Sequence, residues 1–221
     1  GVEEGTDLGP DVVVPLFVKR GRIHPAPADM PELLIGPGTG IAPIMSLLQD
    51  RFAARASSSG AVVADGGGDG GAVQDMVFFG CRHRSKDFLF RDDFLAMCES
   101  DDILASGESA ASSTGEAAGE NAETSRVGCH ARLHVAFSRD QPQKVYVQHK
   151  LAEHADAVWA ILDPARGNGR VVISGSSQRM PQDVLTVLKR IAILKGKLSE
   201  QEAGRFFKQM QRHGKYVLEA W

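Results

Sequence analysis

The stretch LLIGPGTGIAP, Leu33 to Pro43, joins an apolar run of strand length to a helical period through three glycines at alternate positions. A strand that runs directly into a helix is the first half of a crossover unit, the connection that parallel strands require. The same unit recurs as DMVFFG before FRDDFLAMCES, ARLHVAFS before VYVQHKLAEHADAVWAILD, and RVVISG before MPQDVLTVLKRIAIL. Short, continuously apolar strands alternating with amphipathic helices predict an α/β fold: a doubly wound open parallel sheet of about five strands with helices on both faces. A last helix opens at Ser199, where Ser199 and Glu202 have capping-box spacing. It runs toward His213, ahead of a final strand, KYVLEAW.

Two stretches, 56–75 and 101–128, carry neither period nor enough large apolar residues to fold, and are expected to be disordered insertions. Residues 1–28 differ again. An apolar run, Val12 to Val18, gives way to a basic turn and prolines, as at the end of one domain and a linker into the main domain, 29–221. The chain has 221 residues, 43% hydrophobic and 24% charged, ordinary for a soluble protein with one sizeable core. A formal charge of -3 gives no general reason to expect nucleic acid or an anionic membrane as partner. Cys81, Cys98 and Cys129 are scattered and form no CxxC pair, no apolar run approaches a membrane span, and GVEEGTDLGP lacks the character of a signal peptide. These features read as a cytoplasmic chain with no membrane contact.

The glycine loop suits a pyrophosphate. Gly36, Gly38 and Gly40 remove side chains where phosphate would approach the backbone, Pro37 stiffens the turn, and the helix from Ile41 offers unpaired N–H groups and a positive dipole end. The spacing is G-x-G-x-G rather than G-x-G-x-x-G, and no acidic residue closes the second strand, MVFFGCRHR, to take an adenosine ribose. A glycine-rich turn that binds nothing remains open on this motif alone. Beyond the third strand, FSRDQPQKVY places Ser138, Arg139, Lys144 and Tyr146 at the edge where parallel sheets bind ligands. Two cations and a hydroxyl suit a 2′-phosphate, and a tyrosine covers an adenine face, which argues for NADP over NAD; the plainer reading is a solvated basic loop.

In this order, GPGTGIAP, FFGCRHR, AFSRDQPQKVYVQHKL, SGSSQRMPQDV and YVLEAW resemble the NADP-binding domain of the ferredoxin-NADP reductase superfamily, and within it the diflavin reductases. RMPQDV and GCRHRSKDF look more like the members that reduce the iron-sulfur protein anamorsin than like the cytochrome P450 reductases. The resemblance implies that Gly38, Thr39 and Gly40 hold the pyrophosphate with Arg82 beside them. Ser138, Arg139, Lys144 and Tyr146 take the 2′-phosphoadenosine, and Met180 and Asp183 flank the cofactor. Glu219 and Trp221 stand near the flavin, Trp221 stacking on it until nicotinamide arrives. Ser174 stands where P450 reductases carry a cysteine implicated in hydride transfer, which puts a catalytic role there in doubt; Glu219 stands where they have aspartate.

The resemblance further implies NADP as cofactor here, FAD and FMN on domains of the same longer chain, and an anamorsin-like iron-sulfur protein as acceptor. No FAD-binding barrel or FMN-binding half is present, so residues 1–28 read as the tail of an FAD domain and the 221 residues should bind NADPH without turning it over. The rival readings are a P450-reductase-like electron donor and a non-catalytic NADPH-binding regulatory module. No metal site is expected: His130 and His134 lie four apart on a strand, where that spacing does not serve a zinc ion. His149, His154, Trp159 and Met210 suit helix surface or core, and Cys81 suits either a place near nicotinamide or a small apolar filler.

Overall fold

A computed structural model describes residue 17 and residues 21–57, 73–100 and 131–221. Residues 101–128 and most of 56–75 fall outside these, as does the predicted strand over 12–18 apart from Phe17. The described chain forms β1 (Glu32–Pro37), a 3-10 turn (Gly38–Gly40), α1 (Ile41–Ser57), β2 (Asp75–Cys81), α2 (Arg84–Asp87), α3 (Arg91–Met97), β3 (Cys98–Glu99) and β4 (Ala131–Phe137). There follow α4 (Val147–Glu153), α5 (Ala155–Leu162), β5 (Arg170–Gly175), α6 (Met180–Leu194), α7 (Glu200–Arg212) and β6 (Tyr216–Ala220). Six strands make one sheet, in the order β3-β4-β2-β1-β5-β6, with every pairing parallel.

The five strands legible in the sequence are β1, β2, β4, β5 and β6. The sixth, β3, is a two-residue edge. The helical period of FRDDFLAMCES stops at Met97, and Cys98 and Glu99 instead pair with Ala131 and Arg132. The long segment 145–163 also divides. His154, at φ -102° and ψ 30°, separates α4 from α5, and its ring lies 3.7 Å from that of His134 and 6.4 Å from Phe78, so contact with the sheet coincides with the break in the helix. α7 is closed as its capping box predicts: Ser199 Oγ accepts from Glu202 N at 3.3 Å and Glu202 Oε2 accepts from Ser199 N at 2.8 Å.

Strand alternation sends side chains to two cores. Leu33, Ile35, Met76 and Phe78 point to one face with Leu151, Ile161, Leu188 and Phe207 of the later helices, while Leu34, Val77 and Phe79 point to the other with Ile44, Leu48 and Phe94. Both faces of the central strands are therefore buried, which is why those strands read as unbroken apolar runs. The chain winds outward from β1 toward β4 and then returns to place β5 on the other side of β1. That reversal opens a crevice beyond the carboxyl ends of the strands, the place where such sheets bind ligands.

Candidate functional site

The crevice is a cleft of about 830 Å³ bordered by the loops that follow β1, β2, β4 and β5. It is lined by Pro37, Gly38 and Thr39 from the end of β1, Gly80, Cys81 and Arg82 from the end of β2, Ser138, Tyr146 and Gln148 after β4, and Ser176, Gln178, Arg179, Met180 and Asp183 after β5.

The three glycines do three different things. A Cβ at Gly36 would meet Gly40 O at 2.8 Å and Ile44 Cγ1 at 2.9 Å, so this residue permits the tight turn into α1. A Cβ at Gly40 would collide with the carbonyl of Ser174, so this residue lets the helix start press on β5. Gly38 alone is open. It has φ +60°, and nothing lies within 4 Å of where its Cβ would be. Of the three, Gly38 thus leaves backbone accessible from the cleft, at the amino-terminal end of α1 where the helix dipole favours an anion.

Two loops are laced together beside it. Ser138 N and Oγ donate to Cys81 O at 2.9 and 3.2 Å, and Arg139 N donates to Arg82 O at 2.9 Å. Asp140 accepts from Arg84 N at 2.9 Å and pairs with His83 Nδ1 at 3.0 Å. The Arg84 N–H, and after it the His83 ring, hold the Asp140 carboxyl below the usual carboxylate range. The Arg84 guanidinium lies 4.6 Å from the centroid of the Phe137 ring. The consequence is that Arg82 and Arg139, 57 positions apart in sequence, are neighbours.

Of the residues singled out from sequence, Gly38, Thr39, Arg82, Ser138, Tyr146, Met180 and Asp183 line the cleft. Arg139 and Lys144 are exposed and lie on the same loop without lining it. Tyr146, 41% exposed, precedes α4; its N–H donates to His149 Nδ1 at 3.1 Å, which accounts for His149 without a ligand. Ser174, Glu219 and Trp221 gather at the ends of β5 and β6: Ser174 pairs with Glu219 in register, Trp221 N donates to Gly175 O at 3.1 Å and Ser177 N donates to Trp221 O at 2.9 Å. The Ser174 side chain is wholly buried and its Oγ has no hydrogen-bond partner among the described residues, whereas Trp221 is 58% exposed. His134 is buried and stacks on Phe78 at 4.9 Å. Cys81 borders the cleft, and burial, followed by Asp87 and Asp140, pushes its thiol up to about 12.

Sequence reasoning missed Lys86, Gln178 and Arg179, all in the cleft wall. Arg179 directly precedes α6 and follows β5, so the ligand-edge rule that singled out Ser138 would have found it. Lys86 sits on the single turn of α2 and gives no periodic signal. With these two, the cations Arg82, Lys86 and Arg179 face the cleft against the carboxylates Asp87 and Asp183. The balance suits an anionic ligand that also presents hydroxyl or amide groups. Among the described residues no group of three or more His, Cys, Asp or Glu could hold a metal ion, and no helix is long and apolar enough to cross a membrane.

Comparison with known proteins fits this geometry. Residues 34–141 match the family model described as an oxidoreductase NAD-binding domain. Over 213 residues, 96% of the chain, the sequence is 33% identical to NADPH-dependent diflavin oxidoreductase 1 of Arabidopsis thaliana, and over 212 residues it is 30% identical to the protein of that name in Danio rerio. The chain is thus similar to the NADP-binding domain of diflavin reductases. It is also 27% identical over 99% of its length to NADPH–cytochrome P450 reductase of Musca domestica. The chain spans only about a quarter of these relatives, 28% of the first two and 26% of the third.

Proposed function

We propose that the cleft binds NADP(H), and that the domain presents it to flavins carried elsewhere on a longer chain. The observation that carries this reading is Gly38: a positive-φ glycine with open space at the carboxyl end of the first strand, facing a cleft walled by Arg82, Lys86 and Arg179. A cradle without side chains, at a helix start and among cations, matches a pyrophosphate. Gly38, Thr39 and Arg82 are assigned to it, with Gly40 bringing α1 close to β5. Ser138, Arg139, Lys144 and Tyr146 are assigned to the 2′-phosphoadenosine, and Met180 and Asp183 to the nicotinamide-ribose side.

Bound NADPH supplies a hydride; the protein's part is to orient the cofactor and exclude competing water. Glu219 and the exposed Trp221, the latter held by backbone bonds to Gly175 and Ser177, are assigned to the side where a flavin would be met. Ser174, enclosed beneath them, is assigned a supporting place there. In this reading residues 1–28 lead from an FAD domain, electrons pass from NADPH through FAD and FMN, and the acceptor is an iron-sulfur protein of the anamorsin type in the cytoplasm. The similarity to P450 reductases supports a second acceptor class, cytochromes P450.

Calorimetric titration of the 221-residue chain with NADPH, NADP and NADH tests the first part; absence of binding, or equal affinity for NADPH and NADH, overturns it. Expression of the complete reading frame, flavin analysis, and reduction assays with anamorsin and with a cytochrome P450 test the second. A complete protein that binds NADPH but holds no flavin would be a regulatory module instead.

A further inference from the structure

At the amino-terminal edge of the sheet, opposite the cleft, four buried charges meet. Glu32, Asp75 and Arg170 are the first residues of β1, β2 and β5, and Arg51 joins them from α1. Arg51 donates to Asp75 from Nε at 2.8 Å and Nη2 at 3.1 Å, its Nη1 lies 2.9 Å from Glu32 Oε2, and Arg170 Nε donates to Glu32 Oε1 at 2.5 Å. None of the four is more than 7% exposed. Burial pushes Glu32 above the usual carboxylate range, with Arg170 and then Arg51 opposing it. Taking such groups out of water is costly, and well-packed apolar residues of the same volume often serve stability as well or better. Stability therefore gives little reason for charges here.

The remaining donors show what the cluster adds. Arg51 Nη2 donates to Met30 O at 2.9 Å and Nη1 to Pro27 O at 3.5 Å, and Arg170 Nη2 donates to His24 O at 2.5 Å. These carbonyls belong to a largely exposed segment that has no helix or strand of its own, and whose Ile23 packs against the apolar cluster on the α1 face. A guanidinium has donors for a carboxylate and a carbonyl together; an ammonium is a single point of charge.

We propose that Arg51 and Arg170 are positioning residues: held by Glu32 and Asp75, they grip the carbonyls of His24, Pro27 and Met30 and so fix the direction in which residues 21–31 leave the domain. Resting on the function proposed above, this direction sets where the cleft stands relative to a preceding flavin domain. Lysine at either position keeps the buried charge and loses the fork.

The test compares Arg51→Lys and Arg170→Lys with the parent chain. In methyl NMR of the 221-residue chain, the Ile23 methyls are expected to lose their distinct shifts and become mobile, while Ile35 and Ile41 stay fixed and NADPH affinity is unchanged. In the complete flavoprotein, the first-order rate of flavin reduction at saturating NADPH is expected to fall about tenfold or more, since small misplacements cost rate rather than affinity. If a lysine variant does not fold, the double variant Glu32→Met/Arg170→Met takes its place with the same expectations. An Ile23 signal as rigid as in the parent overturns the grip, and an unchanged reduction rate with a mobile Ile23 overturns its positioning role. A complete protein without flavin refutes the proposed function and with it the positioning role, while Ile23 still decides the grip.

Discussion

Gly40 and Ser174 touch through their backbones: the carbonyl of Ser174 occupies the space that a Cβ on Gly40 would need, so the start of α1 rests directly on the end of β5. This contact joins the first strand-helix unit to the strand added on its other side. Gly40→Ala is expected to lower stability by about 3 kcal/mol, the upper range for forced overpacking, because the obstructing atom is backbone and has no rotamer to yield. Urea denaturation of the parent and variant measures it. A loss below about 0.5 kcal/mol, the range of an ordinary surface change, would show that the two elements are not in contact in solution.

Gly38 is the contrasting case. Alanine there has room but must hold φ near +60°, at a cost of about 1 to 2 kcal/mol. Gly38→Ala is expected to cost less stability than Gly40→Ala yet to weaken NADPH binding at least tenfold, since its methyl group enters the cleft side of the turn. Calorimetry on both variants separates the two effects. Equal affinity in parent and Gly38→Ala would mean that no ligand approaches this turn.

Arg139 and Lys144 lie outside the cleft wall on the exposed loop after β4, with the Arg139 backbone tied to Arg82. If they meet a 2′-phosphate, Arg139→Ala should weaken NADPH binding by about 1.5 to 3 kcal/mol, roughly a 10- to 150-fold change in affinity, with NADH affinity unaltered. Calorimetric titrations of both cofactors decide this. A parallel loss for both would instead assign Arg139 to loop structure.

The thiol of Cys81 is favoured in the folded state. Its value rises to about 12 from 9.0, so its contribution to stability is fully present below pH 9.0 and is lost as pH climbs through about 12. Between pH 7 and 9 it should therefore stay protonated and resist alkylation, although it borders the cleft. Mass spectrometry after iodoacetamide treatment of the folded chain checks the expectation. Rapid modification of Cys81 at pH 8 would place a reactive thiolate at the site.

Trp221 is exposed while its backbone is held on both sides by Gly175 and Ser177. In the complete flavoprotein, Trp221→Ala is expected to raise activity with NADH relative to NADPH and to slow NADP release, because an indole that shields the flavin no longer has to be displaced. Ring stacking of this kind is worth about 0.5 to 1.5 kcal/mol, so the NADH/NADPH ratio should shift roughly 2- to 12-fold. Steady-state rates with both cofactors and product inhibition by NADP report it. An unchanged ratio would mean that Trp221 does not shield a flavin.

The residues by themselves determined the parallel α/β fold, the span of α6 from Met180 to Leu194, the Ser199 cap and the five principal strands. These follow from local periodicity, which reports which face each side chain presents to a core. Most of the cleft was legible for a related reason: Gly38, Arg82, Ser138 and Tyr146 each follow a strand, and ligands meet parallel sheets at that edge. Tertiary structure alone decided what local pattern cannot encode. It assigned Gly36 and Gly40 to packing and left Gly38 to the cleft, because only the approach of α1 to β5 distinguishes three glycines of equal spacing. It broke the helix at His154, where a ring contact with His134 from the sheet joins positions 20 apart. It also gathered Glu32, Arg51, Asp75 and Arg170, up to 138 positions apart, into one buried network whose partners are defined by strand order rather than by any neighbour in sequence.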